Sequence, residues 1–90
     1  MPHFDINGID DQGNMALHIA AQNGTEELIQ FLLEHAAHIN ARDLCGRTPL
    51  ICAVRAQNFS TTALLLQKKA ITYITDDFGM SPLHYETQSG

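Results

Sequence analysis

An all-α stack of short helix–turn–helix units is predicted by three observations. Asp10-Asp11-Gln12-Gly13, Asp43-Leu44-Cys45-Gly46 and Asp76-Asp77-Phe78-Gly79 recur at a spacing of 33 residues. Leu17, Leu50 and Leu83 keep the same spacing and are expected to share equivalent surroundings. Between the turns, apolar residues fall at helical intervals, as at Leu17, Ala20 and Ala21. A fixed period of this length marks stacked repeats, in which no unit can cover its own apolar face.

The stretch 40–54, NARDLCGRTPLICAV, shows how a unit starts. Residues 43–46 read as a tight turn: Gly46 tolerates a positive φ, and Asp43 can accept a backbone N–H two residues on. Thr48 is placed as a helix N-cap, with Pro49 at the first helical position, where its missing N–H costs nothing. Thr48-Pro49-Leu50-Ile51-Cys52-Ala53 and Ser81-Pro82-Leu83-His84 resemble the T-P-L-H-x-A signature of ankyrin repeats, and Met15-Ala16-Leu17-His18-Ile19-Ala20 matches its second half. The resemblance covers nearly the whole chain. It implies an ankyrin-repeat solenoid of helix-turn-helix units joined by β-turn loops. Residues 1–9 would be the tail of a preceding repeat, left from a longer protein or serving as an irregular cap. Residues 10–42 and 43–75 would be two full repeats, and 76–90 a partial third.

In repeat one the first helix is expected over 16–23, with small alanines that let helices approach. Gly24 breaks it. Thr25 is expected to cap the second helix, with Glu26 and Glu27 in its first turn, where the helix dipole favours acids. Leu28, Ile29, Phe31, Leu32 and Leu33 form a wide apolar stripe that the next repeat must cover. Repeat two repeats the plan over 49–56 and 59–68, with Leu50, Ala53, Leu64, Leu65 and Leu66 as core. Against the family pattern, Ile51 replaces His, Gln57 replaces Gly, and Thr61 and Thr62 replace an apolar pair, so this second helix should be the looser one. Residues 71–75 are β-branched or aromatic and are expected to be extended. In repeat three, Glu86 and Thr87 stand where repeat one has Ala20 and Ala21, so the Glu should turn to water. Ala36 and Lys69 occupy the family's left-handed Gly positions, each at a cost of about 1 kcal/mol. Two full repeats should be marginally stable alone and should lean on a flanking repeat or on self-association.

Composition narrows the function. The apolar fraction is 44% and no apolar run approaches a membrane span. A net charge of −5 argues against nucleic acid. Residues 1–43 carry seven acids against Arg42, giving −6; residues 44–75 carry four bases and no acid, giving +4; residues 76–90 give −3. Two cysteines, Cys45 and Cys52, make no disulfide framework and point to a reducing cytoplasmic or nuclear setting. No catalytic constellation, phosphate cradle or cofactor motif is evident, so no enzyme activity and no cofactor are expected. His35 and His38 could share a face, but zinc wants three or four ligands and no third stands close. The resemblance implies that His18 and His84 bond the backbone and the launch hydroxyl, which Ser81 keeps and Met15 lacks, so His18 should be the less well held. It also implies a hydroxylation context at Asn40, against the simpler reading that Asn40 bonds within its turn.

The remaining signal is a binding face. By the family's cupped-hand geometry, turn tips are fingers and exposed first-helix positions are palm. Carried over residue by residue, this gives Asp11, Gln12, Asn14, Gln22 and Asn23, then Leu44, Cys45, Arg47, Arg55 and Ala56, then Asp77, Phe78 and Met80. Leu44, Phe78 and Met80 have no evident core role and lie beside arginines, the usual makeup of binding anchors. The expected function is a protein–protein interaction module preferring an acidic, partly apolar segment, with no membrane or nucleic-acid partner. The alternatives are a regulatory or substrate-recruiting segment of a larger enzyme, such as a kinase or ubiquitin ligase, and a structural spacer.

Overall fold

The computed structural model describes residues 6–10 and 13–89. Five helices follow in order: α1 (Ala16–Asn23), α2 (Glu26–Glu34), α3 (Pro49–Arg55), α4 (Phe59–Gln67) and α5 (Pro82–Ser89). No strand forms among the described residues; residues 71–75, expected to be extended, run as irregular chain with one bend. The molecule is elongated, 46 × 24 × 19 Å, as stacking in one direction requires. α3 sits at the middle, packed on α1 before it, α4 beside it and α5 after it.

The three turns are built alike. Gly13, Gly46 and Gly79 each donate to the carbonyl of the aspartate three residues earlier, at 3.0, 2.9 and 3.0 Å. All three adopt φ near +77°: 78°, 76° and 77°. Asp43 Oδ1 accepts from the N–H of Cys45 and of Arg47, each at 2.9 Å, so it grips four residues on as well as two. Asp76 Oδ1 does the same for Phe78 and Met80. Adjacent turns are tied edge to edge where Asp77 N–H donates to Cys45 O at 2.9 Å.

Helix starts differ from expectation in one place. Thr48 caps α3, accepting from Ile51 N–H at 3.3 Å. Thr25 stands at the N-cap of α2 but its side chain makes no capping bond. Asn58, at the same place before α4, turns back instead, and its Nδ2 donates to Ala21 O at 2.9 Å and Gln22 O at 2.7 Å, clamping one repeat to the next. Ala36 and Lys69 take the left-handed conformation expected of them (φ 71° and 69°), and Gln57 joins them at 60°.

Burial at equivalent positions is unequal, and the inequality has a direction. Leu17 and Leu50 are fully buried, whereas Leu83 is 64% exposed, because no second helix follows α5 among the described residues. Thr61 is 2% exposed, yet its counterpart Leu28 is 41% exposed. Leu64 is likewise buried and its counterpart Phe31 is not. In α2 only Ile29 and Leu32 are fully buried and Leu33 half-buried. The outer part of that stripe therefore faces the start of the stack, and a preceding unit, not the following one, would cover it. Leu66, expected in the core, is exposed for the mirror-image reason, lying on the far side of α4. Glu86 is exposed, as its charge requires.

His18 is held better than its neighbours suggest. Its Nε2 lies 3.0 Å from Ala41 O and 2.7 Å from Arg47 O, so it carries the proton and donates to the end of its own repeat and the start of the next. Nδ1 then accepts from Met15 N–H at 3.4 Å, a long bond. His84 has the better local cap, with Ser81 N–H at 3.0 Å and Ser81 Oγ at 2.8 Å, but is exposed. Burial and the two carbonyls outweigh the lost hydroxyl. Asn40 also bonds forward rather than within its own turn: its Oδ1 accepts from Ile71 N–H at 2.9 Å. Asn7 accepts from His38 N–H at 2.8 Å in the same register.

Candidate functional site

The expected site residues that the structure describes are exposed or half-buried, on the tips and along the first helices. Asp11 and Gln12 lie outside the described residues. Asn14 is half-buried, and Gln22 and Asn23 are exposed at the end of α1. At the middle tip Leu44 is exposed but leans over the preceding turn: a Cβ built on Gly13 would fall inside the Leu44 side chain. It is therefore partly a spacer between tips, a role its sequence position does not reveal. Cys45 is half-buried, and Ala56 and Asp77 are exposed. Phe78 is exposed, with Met80 half-buried behind it.

Two arginines on this surface are stacked on rings. The Arg47 guanidinium carbon lies 5.9 Å from the centre of Phe78, and that of Arg55 lies 5.4 Å from the centre of Tyr85. Arg47 also acts on the Tyr85 phenol, drawing its pKa down against the effects that raise it. The order Phe78–Arg47–Tyr85–Arg55 thus runs from the third tip across the palm to the end of α3. Stacking holds a guanidinium by its face and leaves the in-plane N–H groups to meet a carboxylate. The Nε of Arg47 is buried without a hydrogen-bond partner among the described residues. Tyr85 was not among the expected site residues. It replaces Ile19 and Cys52 at the equivalent first-helix position, and an aromatic with a hydroxyl at a place otherwise apolar was the available signal.

The base of this ladder is Asp76, whose Oδ2 accepts a short hydrogen bond from the Tyr85 hydroxyl. Burial alone would push the Asp76 carboxyl up. Hydrogen bonds from Tyr85, Met80 N–H and Phe78 N–H outweigh it and hold the carboxyl below its ordinary value of 3.8. Burial and the bond to Asp76 raise the Tyr85 phenol above its ordinary 10.0. The signs give opposite limbs. A depressed carboxyl stabilises the fold above its ordinary pKa, and that contribution is lost as pH falls through the depressed value. A raised phenol stabilises below its ordinary pKa, and that contribution is lost as pH rises through the raised value. Urea unfolding of Tyr85→Phe across pH 2.5–11 should therefore show both limbs shallower than in the natural chain; superimposable profiles would contradict the pairing.

The thiols and histidines offer little chemistry. Burial pushes the Cys52 thiol up to about 12, so it stays protonated and inert. His35 Nδ1 lies 2.8 Å from Phe31 O and its ring stacks on Phe31 at 4.1 Å, which ties it to its own helix. Among the described residues no group of three or more His, Cys, Asp or Glu could hold a metal ion, and no helix is long and apolar enough to cross a membrane.

Comparison with known proteins agrees with this architecture. A family model described as ankyrin repeats (many copies) matches residues 25–66, and one described as ankyrin repeats (3 copies) matches residues 1–43. The ADP-ribosylation factor GTPase-activating protein AGD4 of Arabidopsis thaliana is 37% identical over 79 residues, 88% of this chain and 10% of that protein. Rabankyrin-5 of Homo sapiens is 39% identical over 71 residues, 78% of this chain and 6% of that protein. The E3 ubiquitin-protein ligase XBAT33 of Arabidopsis thaliana is 35% identical over 78 residues, 86% of this chain and 15% of that protein. The chain thus spans only a small part of the length of these relatives.

Proposed function

The chain belongs to the ankyrin-repeat family, whose repeats are protein-interaction modules, and from that premise we propose that its palm and tips bind an acidic, partly apolar segment of a partner protein. The observation that carries this reading is the Phe78–Arg47–Tyr85–Arg55 ladder. It offers guanidinium edges for carboxylates beside exposed apolar surface at Phe78 and Leu44. The site is proposed as Asp11, Gln12, Asn14, Gln22, Asn23, Leu44, Cys45, Arg47, Arg55, Asp77, Phe78 and Met80, with Tyr85 added. The repeat boundaries at 10, 43 and 76, a cytoplasmic or nuclear setting and a binding rather than catalytic role belong to the same proposal.

Selection from a displayed library of 12-residue peptides tests it. Enriched peptides should combine Asp or Glu with an apolar residue. The double variant Arg55→Ala, Phe78→Ala should weaken their binding by about tenfold or more, since stacked Arg and aromatic anchors commonly contribute over 1 kcal/mol each. Both side chains are exposed, so the melting temperature should hold. Arg47 is left in place because its Nε is buried. Enrichment of basic peptides, or equal binding by the variant, would contradict the reading.

A second reading is favoured by the relatives' names, which include a GTPase-activating protein and a ubiquitin ligase. The same face would then recruit a substrate or regulator to a larger enzyme. Loss of turnover of one substrate, with intact activity on others, in a parent enzyme carrying the palm variant would support it.

A further inference from the structure

A second surface lies at the start of the stack and does not depend on the palm. Ile19 on α1 and Leu28 and Phe31 on α2 are exposed there. Their counterparts one unit on, Cys52, Thr61 and Leu64, are all buried. The same face is therefore closed in the second unit and open in the first. The His35 ring stacks on Phe31 at 4.1 Å and extends its aromatic part. Exposed apolar residues gathered on one face and rimmed by polar ones are a recognised mark of an interaction site.

Charge selects what fits on this face. Glu27, Phe31 and Glu34 follow one another at i, i+4 and i+7 on α2, so the two acids bracket the Leu28–Phe31 stripe about 10 Å apart. Both are exposed, and neither carboxylate has an ion-pair partner among the described residues. The closed face of the second unit has neutral Ser60 and Gln67 at these two positions. No Lys or Arg precedes Arg42. Arg42 itself is turned forward along the stack, with Nε donating to Gly46 O at 3.1 Å and Nη2 to Thr75 O at 2.6 Å. A cover that is apolar throughout would shield both carboxylates from water, at a cost that only counter-charges offset. We propose that this face is the docking site for a basic amphipathic helix of a partner protein, lying along α2 with its apolar residues on Ile19, Leu28 and Phe31 and a Lys or Arg two turns apart on Glu27 and Glu34. Its charge is opposite to that of the palm's proposed ligand, so the two surfaces would not compete for one segment.

Two synthetic helical peptides titrated against the full chain by fluorescence anisotropy test this. One has leucines at i+3 and i+4 between lysines at i and i+7; the other has glutamates in place of the lysines. The lysine peptide should bind saturably and at least about tenfold more tightly, since it exchanges two like-charge contacts for two ion pairs. Glu27→Gln and Glu34→Gln should each weaken it about two- to fivefold, the scale of an exposed ion pair. Glu86→Gln, which removes the same charge at the far end of the stack, should leave it unchanged. Phe31→Ala should weaken it at least about fivefold, as loss of an aromatic anchor does, and Leu28→Ala should act in the same direction. Both side chains are exposed, so these variants should still fold; helical circular dichroism checks that. The palm variant Arg55→Ala, Phe78→Ala should bind the lysine peptide unchanged, which separates failure here from failure of the palm reading. Absence of saturable binding, equal affinity for the two peptides, or an equal loss from Glu86→Gln would each overturn the proposal. So would a self-association in sedimentation that Phe31→Ala abolishes and the lysine peptide does not displace.

Discussion

Leu50→Ala should leave most of the chain unfolded at 37 °C. Leu50 is fully buried on α3, the helix that touches α1, α4 and α5. Truncating a buried Leu to Ala removes its transfer free energy and leaves a cavity, about 3 kcal/mol in a typical core and up to about 5. A chain of this length has roughly 5–13 kcal/mol in all, and this one carries added costs. Ala36, Gln57 and Lys69 each hold a left-handed conformation, at about 1 kcal/mol apiece. Leu28, Phe31, Leu66 and Leu83 are only partly covered and give little burial in return for their ordering. Urea titration followed by circular dichroism should show the midpoint of Leu50→Ala collapse toward zero. A shift below about 1 kcal/mol, the scale of surface substitutions, would mean that α3 is not the keystone.

Gly46→Ala should be nearly as damaging, for a different reason. Gly46 holds φ at 76°, which costs any residue with a Cβ about 1–2 kcal/mol. A Cβ there would also lie 2.5 Å from Asp77 Oδ1 and 3.0 Å from Asp77 N, so the next tip must move. That movement strains the Asp77 N–H to Cys45 O bond that joins the tips. The expected loss is about 2–3 kcal/mol, the left-handed cost plus one net hydrogen bond. Gly79→Ala is the control, because it has the same φ of 77° and nothing within 4 Å of its Cβ. Its loss should be the conformational part alone, about 1–2 kcal/mol. Equal losses at the two sites would show that the tips do not bear on one another.

The repeat itself was legible because it is local chemistry. Asp, Gly, Thr-Pro and the helical apolar spacing each act within a few residues, so helices at Ala16–Asn23 and Pro49–Arg55 could be placed without coordinates. What was not legible depends on neighbours. Leu28 and Thr61 occupy the same place in their helices, yet the apolar one is exposed and the polar one buried. Their fates are decided by whether a helix precedes them, which no local pattern encodes. The Thr25 hydroxyl makes no capping bond and Asn58 abandons its own helix end for a carbonyl pair 36 and 37 residues away. Tyr85 entered the palm only once α5 was laid against α3. At the candidate face, the pairing of Arg47 with Phe78 followed from one repeat's tip standing beside the next, while Leu44's lean onto Gly13 required the actual distance between tips.

Native-state hydrogen exchange, read amide by amide, bears most directly on the claim that the units hold one another in place. Each unit's stability should depend on how many neighbours cover it. Amides of α3, covered on both sides, should exchange slowest and only through global unfolding. Those of α1 should be faster, and those of α5 fastest, opening without the rest. Protection in α5 equal to that in α3, or α1 and α2 surviving as a unit after α3 has opened, would contradict it.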